Sequence, residues 1–480
     1  MRTIEASQPW QWPTLARAGA VPLGRLPACL LVLLFLAPAL AAGSEQPHIL
    51  FIAVDDLRPE LSAYGVARAQ TPHIDRLAAS GLKFDRAYAN VPVCGASRAS
   101  LMTGLRPTRE RFLDYDSRAD HDAPGAVGLH GWLKRHGYVT LGNGKIFHHP
   151  QEMNGGWDFV YRPREFKQYN HRAVTKHQGI YEGAGVGRWA WQAQDVPDEA
   201  LQGGKLAQVV EAQLADAARS DRPWFITMGL TKPHLPFISP TRYWDLYDHD
   251  AVPLAENPFP PVDAPPRAIH NWGELRHGYD LMPAEGPVSD EVARHLVHGY
   301  LAAVSYSDAM IGRALEALER HGIADRTIII LWGDHGYQLG EHSLWAKHST
   351  FRTSLQVPLI VRAPGITPRG ASTGALVELV DLFPTICELA GIPKPPQLEG
   401  DSFLPVLRDP AAELKEAAFA RYGAMEAVIF KEGIYTRFAD TGEAMYYDHG
   451  TDPAENRNVL EDPAHAATVA RARRFLEQGD

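Results

Sequence analysis

Three stretches of the chain are apolar from end to end and rich in β-branched or aromatic residues: His48–Val54 (HILFIAV), Trp224–Leu230 (WFITMGL) and 327–332 (TIIILW). A strand with one wet face alternates apolar and polar residues, so unbroken runs of this length predict strands covered on both faces. Shorter strands are expected at 138–141 and 357–362. Helices are expected at 127–136, at 201–218 and within Asp290–Arg320, where Ser289 or Asp290 is the cap and Gly322 lies near the stop. Thr71 caps a short helix that has Pro72 at its first position and Gly81 just past its end. Strands alternating with helices predict an α/β fold: a large, mostly parallel sheet with helices on both faces.

Two regions depart from the alternation. Residues 248–287 are rich in proline, carry Trp272 and Tyr279, and read as a long ordered loop or lid. Beyond about Pro396, short strands within 427–447 turn at Glu432-Gly433 and Thr441-Gly442, and 463–478 closes the chain as a helix. That pattern predicts a small C-terminal antiparallel sheet. The expected organisation is a leader at 1–42, an α/β catalytic unit at 43–396 and a smaller α+β unit at 397–480.

Composition sharpens this picture in two places. The formal net charge of −10 and the lack of a basic block argue against a nucleic-acid partner, although a basic pocket can still exist under a negative total. Residues 29–42 (CLLVLLFLAPALAA) form an apolar run too short to span a bilayer, with Arg17 and Arg25 upstream and small residues at Ala39-Leu40-Ala41. This is a secretory leader pattern. It predicts export to a periplasmic or extracellular space, with no stable membrane association after cleavage. The chain has three cysteines, and loss of the leader would remove Cys29 and leave Cys94 and Cys387. A disulfide between those two has no support in their spacing.

Candidate chemistry gathers at strand ends. In parallel sheets, ligands bind beyond the carboxyl ends of the strands. Asp55-Asp56 and Asp334-His335 each follow a buried strand at that end. Adjacent acids can simply form a solvated turn. Forced together, they repel unless a cation lies between them, and oxygen ligands favour a hard ion such as Ca²⁺ or Mg²⁺. Glu341 or His342 could add ligands. Cys94 could be a buried structural thiol, but Pro92, Gly95, Ala96, Ser97 and Arg98 around it read as turn-like. If 97–102 opens a helix, its free amides offer an anion site.

These residues also carry a resemblance. Cys94-Gly95-Ala96-Ser97-Arg98, with Leu101 and Thr103-Gly104, resembles the C-x-(P/A)-x-R…L-x-T-G signature of type I sulfatases, in the alkaline phosphatase superfamily. V-D-D-L at 54–57, T-P-H-I-D-R-L-A at 71–78, G-K at 144–145 and K-P-H at 232–234 fall in that family's order. So do G-D-H-G at 333–336, G-E-H-S-L-W-A-K at 340–347 and D-P-A-E-N at 452–456. G-K-I-F-H at 144–148 and K-P-H-L-P-F at 232–237 look closest to the iduronate-2-sulfatase branch.

The resemblance implies that Cys94 is oxidised to formylglycine by a formylglycine-generating or anaerobic sulfatase-maturing enzyme. It implies one Ca²⁺ held by Asp55, Asp56, Asp334, His335 and the modified Cys94. Arg98 would hold the aldehyde hydrate, Lys145 and Lys347 would bind sulfate oxygens, His148 would act as base, and His234 would protonate the leaving alcohol. His149 beside His148 could take the same role, and His342 and Trp345 could face the substrate. The implied substrate is a sulfated saccharide. A phosphate or phosphonate monoester hydrolase and an inactive carbohydrate-binding relative are the alternatives; Cys94 with Lys145 and Lys347 favours sulfate over phosphate, and the retained ligand set argues against a mere binder. Two departures stand out: alanine replaces the commoner proline at 96, and Ser349-Thr350-Phe351-Arg352 follows where that branch usually has an acid. The loops at 112–122 and 168–194 carry no assignable pattern and are expected to shape the sugar pocket.

Overall fold

The structure is a computed structural model describing residues 46–66, 68–163 and 189–478. The expected leader at 1–42 and residues 168–188 of the expected pocket loop lie outside the described residues. Eight strands among the described residues form the main sheet: β1 (His48–Val54), β2 (Leu82–Phe84), β3 (Val139–Asn143), β4 (Phe159–Tyr161), β5 (Trp224–Leu230), β6 (Thr327–Gly333), β7 (Leu359–Arg362) and β8 (Ala371–Thr373). Their order across the sheet is β8-β2-β7-β6-β1-β5-β3-β4. Every pairing is parallel except those of β7, which runs antiparallel to both β6 and β2.

Strand β1 shows why its sequence has no polar alternation. Leu50, Ile52 and Val54 face one apolar core, and Ile49, Phe51 and Ala53 face another on the opposite side. All seven residues of β1, of β5 and of β6 are buried. Each large aliphatic or aromatic side chain so covered contributes about 1.5–3 kcal/mol, which outweighs the need for a polar face.

The helices used below are α1 (Pro72–Ser80), α2 (Cys94–Thr103), α3 (Leu129–Arg135), α4 (Gln202–Ala217), α5 (Gly273–Gly278), α6 (Asp290–Arg320), α7 (Leu382–Leu389) and α8 (Ala466–Gln478). Helices α1, α4 and α6 cover the first core, while α2, α3 and α7 cover the second. Ser289 caps α6 by accepting the Val292 amide. Thr71 holds the cap position of α1, but its hydroxyl does not bond to the backbone there. The α6 carboxylate of Asp308 accepts the His73 and Ile74 amides instead, at 3.2 and 2.7 Å. Tertiary packing has supplied the cap that sequence assigned to a neighbour.

The strand expected at 357–362 is broken at Pro358. Gln356–Val357 pairs with Ala87–Tyr88, and only the part after the proline joins the main sheet. Proline has no amide to give a central ladder, so the chain changes sheet there. The helix expected to open at 97 starts three residues earlier, at Cys94. Cys94 and Cys387 are both free thiols.

A second sheet follows, of β9 (Ala418–Tyr422), β10 (Met425–Ile429), β11 (Gly433–Phe438) and β12 (Ala444–Asp448), antiparallel throughout. One face, with Ala427, Ile429 and Ile434, packs on Tyr88, Leu355 and Leu376 of the main body; the other, with Val428, Phe430 and Tyr435, is covered by α8. No helix among the described residues is long and apolar enough to cross a membrane.

Candidate active site

The site begins as a consequence of register. Val54 at the end of β1 pairs with Leu230 of β5 on one side and Gly333 of β6 on the other. The next residues, Asp55-Asp56 and Asp334-His335, therefore leave the sheet at one level and side by side. The Asp56 amide donates to Asp334 Oδ1 at 3.0 Å. Asp56 lies in the left-handed region, at φ 61°. Such strain persists where surroundings over-determine it. Here the Tyr300 hydroxyl of α6 donates to the Asp56 carbonyl at 2.8 Å and accepts the Arg58 amide at 3.0 Å.

Oxygens of Asp55, Asp56 and Asp334 lie within 4.8 Å of one another, all buried. Their titration is split accordingly. Burial and Cys94 push Asp55 up, but Lys145 and Arg98 outweigh them and hold it below the ordinary range. Burial raises Asp56, and burial raises Asp334 to about 7 against the pull of Arg98 and His335. Like charges this close do not all ionise unless a cation joins them. His335 contributes from the same edge. Its Nδ1 donates to the Gly336 carbonyl at 2.8 Å, which turns Nε2 towards Asp56 Oδ1 at 3.3 Å and Cys94 Sγ at 3.1 Å.

Helix α2 sets Cys94 against this cluster. All ten of its residues are buried, so the turn-like surroundings expected for Cys94 are not found. Small residues are there because other backbone comes close. A Cβ on Gly95 would lie 2.2 Å from the Tyr115 carbonyl oxygen. The same loop uses the Ala96 amide, which donates to the Asp114 carbonyl at 3.1 Å. The anion site expected from free amides at 97–102 is therefore not formed as anticipated: the helix starts earlier and the loop takes one of its first amides. Arg98 is fully buried and forks between Asp334 Oδ2 and Asp55 Oδ1, each at 2.9 Å, with further bonds to the Lys145 and Ile146 carbonyls.

The remaining cations arrive from three loops. Lys145 follows β3 through Gly144, at φ 73°, where a Cβ would meet the Gly229 carbonyl oxygen at 2.1 Å. The two backbones join there, Lys145 amide to Gly229 carbonyl at 2.8 Å, and the Lys145 ammonium reaches Asp55. His148 helps to lower the pKa of the Cys94 thiol, and its Nδ1 is buried without a hydrogen-bond partner. His149 turns away, its Nδ1 3.5 Å from Arg118, which separates the two adjacent histidines. His234 has Nδ1 on the Leu235 carbonyl at 2.6 Å and Nε2 4.0 Å from Asp56. Burial would lower its pKa, but Asp56 more than compensates and raises it to about 10. Lys347 Nζ lies 2.9 and 3.1 Å from the two Asp56 oxygens. Burial pushes the Cys94 thiol up, yet Lys145, Lys347 and His335 hold it well below the usual thiol range.

All ten residues singled out in the sequence thus come together: Asp55, Asp56, Cys94, Arg98, Lys145, His148, His234, Asp334, His335 and Lys347. Besides His149, three others do not. Glu341 pairs with Arg58 at 2.9 Å and accepts the Leu339 amide, so it is occupied away from the cluster. The His342 Nε2 bonds to the Ala454 carbonyl and its ring packs on Phe351. Trp345 is buried in the apolar core. Sequence reading missed Glu274, on α5 in the proline-rich stretch, whose carboxylate reaches both His234 and Lys347. No periodicity marks that stretch, and the only hint was its expected place over the site.

Known proteins resemble this chain over most of its length. The family model described as Sulfatase matches residues 47–392, and that for the C-terminal part of N-sulphoglucosamine sulphohydrolase matches residues 340–479. The chain is 33% identical to the mouse (Mus musculus) iduronate 2-sulfatase over 75% of its own length and 72% of that protein. It is 30% identical to a sulfatase of Formosa agariphila over 86% of its length and 82% of that protein. Among solved structures, the phosphonate monoester hydrolase of Silicibacter pomeroyi shares the fold with a TM-score of 0.74 at 24% identity, covering 90% of this chain and 95% of that one. With its signature cysteine set among paired acids and lysines at the end of a parallel sheet, the chain belongs to the sulfatase family.

Proposed function

We propose that this chain is an exported, formylglycine-dependent sulfatase that hydrolyses a sulfate monoester of a sugar. The 2-O-sulfate of iduronate, or of a related uronate in glycosaminoglycan or algal oligosaccharides, is the leading candidate. The single observation that carries the reading is the position of Cys94: its sulfur touches the acidic cluster through His335, while Lys145 and Lys347 bring two cations to the same side. The likeness to the mouse iduronate 2-sulfatase supports the choice of sugar. We take 43–396 as the catalytic unit and 397–480 as its smaller companion.

The donor set fits a hard divalent ion. Three buried carboxylates converge, and His335 offers Nε2 with its other nitrogen already fixed. Asp55, Asp56, Asp334, His335 and the modified Cys94 would hold one Ca²⁺. The ion would supply fixed positive charge, and the formylglycine hydrate two hydroxyls on one carbon, one to attack sulfur and one whose deprotonation releases sulfate. The chain's own residues do the rest. Arg98 orients Asp55 and Asp334 and lies beside residue 94. Lys145 and Lys347 bind peripheral sulfate oxygens, where charge is held away from water. His148 takes the proton of the attacking hydroxyl. His234, with Nδ1 fixed on Leu235, delivers a proton from Nε2 to the leaving oxygen. The overall change is ester plus water to alcohol, sulfate and a proton.

Cys94 is only 2% exposed, so its oxidation by either class of maturing enzyme must come before the fold closes over it. In active protein, mass spectrometry of the peptide holding residue 94 is expected to show the aldehyde, and Cys94→Ala is expected to lose sulfate release while keeping its circular dichroism and melting profile. Fully active protein carrying only the thiol would remove this mechanism. Assay against sulfated disaccharides, with a phenyl phosphonate ester alongside, identifies the substrate; preference for the phosphonate would overturn the sulfate assignment.

A further inference from the structure

The proline-rich segment 248–287 brings a carboxylate to the site. Glu274 Oε1 lies 3.2 Å from His234 Nε2 and 3.2 Å from Lys347 Nζ, and Oε2 lies 3.1 Å from the same ammonium. Neighbours on either side hold it there. Trp272 and Leu275 are buried, at 3% and 1% exposure. The Arg276 guanidinium stacks on the Trp272 ring at 3.5 Å and bonds to the Gly286 carbonyl at 2.9 Å, which ties the short helix back to its own loop. The carboxylate is therefore presented by an anchored element.

We propose that Glu274 is a positioning residue for the proton delivered to the leaving group: it orients His234 through Nε2 before substrate binds and yields that nitrogen to the ester oxygen when substrate enters. This rests on the role given to His234 above. His234 Nδ1 already donates to the Leu235 carbonyl at 2.6 Å, so a carboxylate at Nε2 fixes the ring at both nitrogens and holds the proton there until the leaving oxygen takes its place. Without it, the ring keeps one anchor and can swing about that bond. Lys347 would lose one of its two carboxylate partners, keeping Asp56. Glu274 thus also competes with an incoming anion for the Lys347 ammonium, and its removal has two effects of opposite sign.

The test uses full-length matured enzyme with Glu274→Gln, Glu274→Asp and His234→Asn. Turnover is measured on sulfate esters ordered by leaving-group basicity: 4-nitrophenyl sulfate, phenyl sulfate and a 2-O-sulfated uronate disaccharide. A good leaving group needs no proton and a sugar alkoxide does. General acid catalysis contributes about 10²–10⁴-fold, so partial loss of its alignment in Glu274→Gln should lower kcat on the poorest leaving group about 10- to 100-fold more than on 4-nitrophenyl sulfate. Glu274→Asp should recover part of that difference. Calorimetric binding of inorganic sulfate should be as tight or tighter in Glu274→Gln. Equal losses across the ester series, or weaker sulfate binding, would show a merely structural role and overturn the proposal. If His234→Asn itself shows no dependence on leaving group, the assignment of His234 fails first; if His234→Asn shows it and Glu274→Gln does not, only the role of Glu274 falls.

Discussion

Arg98→Met removes the one guanidinium that holds two of the clustered acids. The side chain is fully buried and bonds to Asp55 Oδ1 and Asp334 Oδ2 at 2.9 Å each. Unit charges about 4 Å apart attract by about 4 kcal/mol at an effective dielectric of 20. Burying the guanidinium offsets much of the two attractions, but methionine leaves both carboxylates without it and restores nothing. Removing one partner of a buried pair costs about 3–5 kcal/mol, and the stranded Lys145 and Ile146 carbonyls place this site at the upper end. With unfolding entropy near 2 cal/mol/K per residue, a chain of this length should lose about 3–5 °C in Tm. Differential scanning calorimetry in EDTA measures it. Added Ca²⁺ should then stabilise Arg98→Met by more degrees than the parent, because the acids have lost a competing cation. A Tm within 1 °C of the parent in EDTA, or no larger Ca²⁺ effect in the variant, would refute the reasoning.

Gly95→Ala should destabilise the fold by about 1–3 kcal/mol, since its Cβ must displace backbone and no flexible side chain can yield; chemical denaturation measures the loss, and sulfate release should fall with it. The closest atom is the Tyr115 carbonyl oxygen, 2.2 Å from that Cβ. His130 gives a pH dependence away from the site. Burial lowers its pKa from 6.5 to about 4, with Nε2 on the Met153 carbonyl at 2.9 Å and its ring stacked on Trp157. Its folded pKa lies below the unfolded one, so its contribution is complete above about 6.5 and is lost as pH falls towards 4. One pKa unit is about 1.4 kcal/mol, so about 3 kcal/mol disappears over that window. His130→Phe should be slightly less stable at pH 7 but lose less stability between pH 6.5 and 4.5, and parallel Tm curves for the two proteins would contradict the assignment.

Much of the architecture was legible because the central strands carry their burial openly. His48–Val54 and Trp224–Leu230 have no polar alternation, and both are strands with those limits, buried on both faces. Boundaries were less legible where one residue acts against its neighbours. Pro358 cut an apparently continuous strand, and Asp308, 234 residues from Ile74, took over a cap assigned to Thr71.

The site divides along the same line. Asp55-Asp56 and Asp334-His335 could be paired from sequence because each follows a buried strand, and parallel strands in register must deliver their next residues to one edge. Cys94 and Arg98 could be marked by their motif, but the depth of their burial could not, since the loop at Tyr115 that closes over Gly95 carries no pattern. Which of His148 and His149 faces the thiol depends on how a loop leaves Gly144, and Glu274 reaches His234 only after an aperiodic segment folds over the sheet. Local periodicity encodes what a segment buries within itself and its sheet. Contacts between loops depend on the path of both chains at once, and that information exists only in the folded molecule.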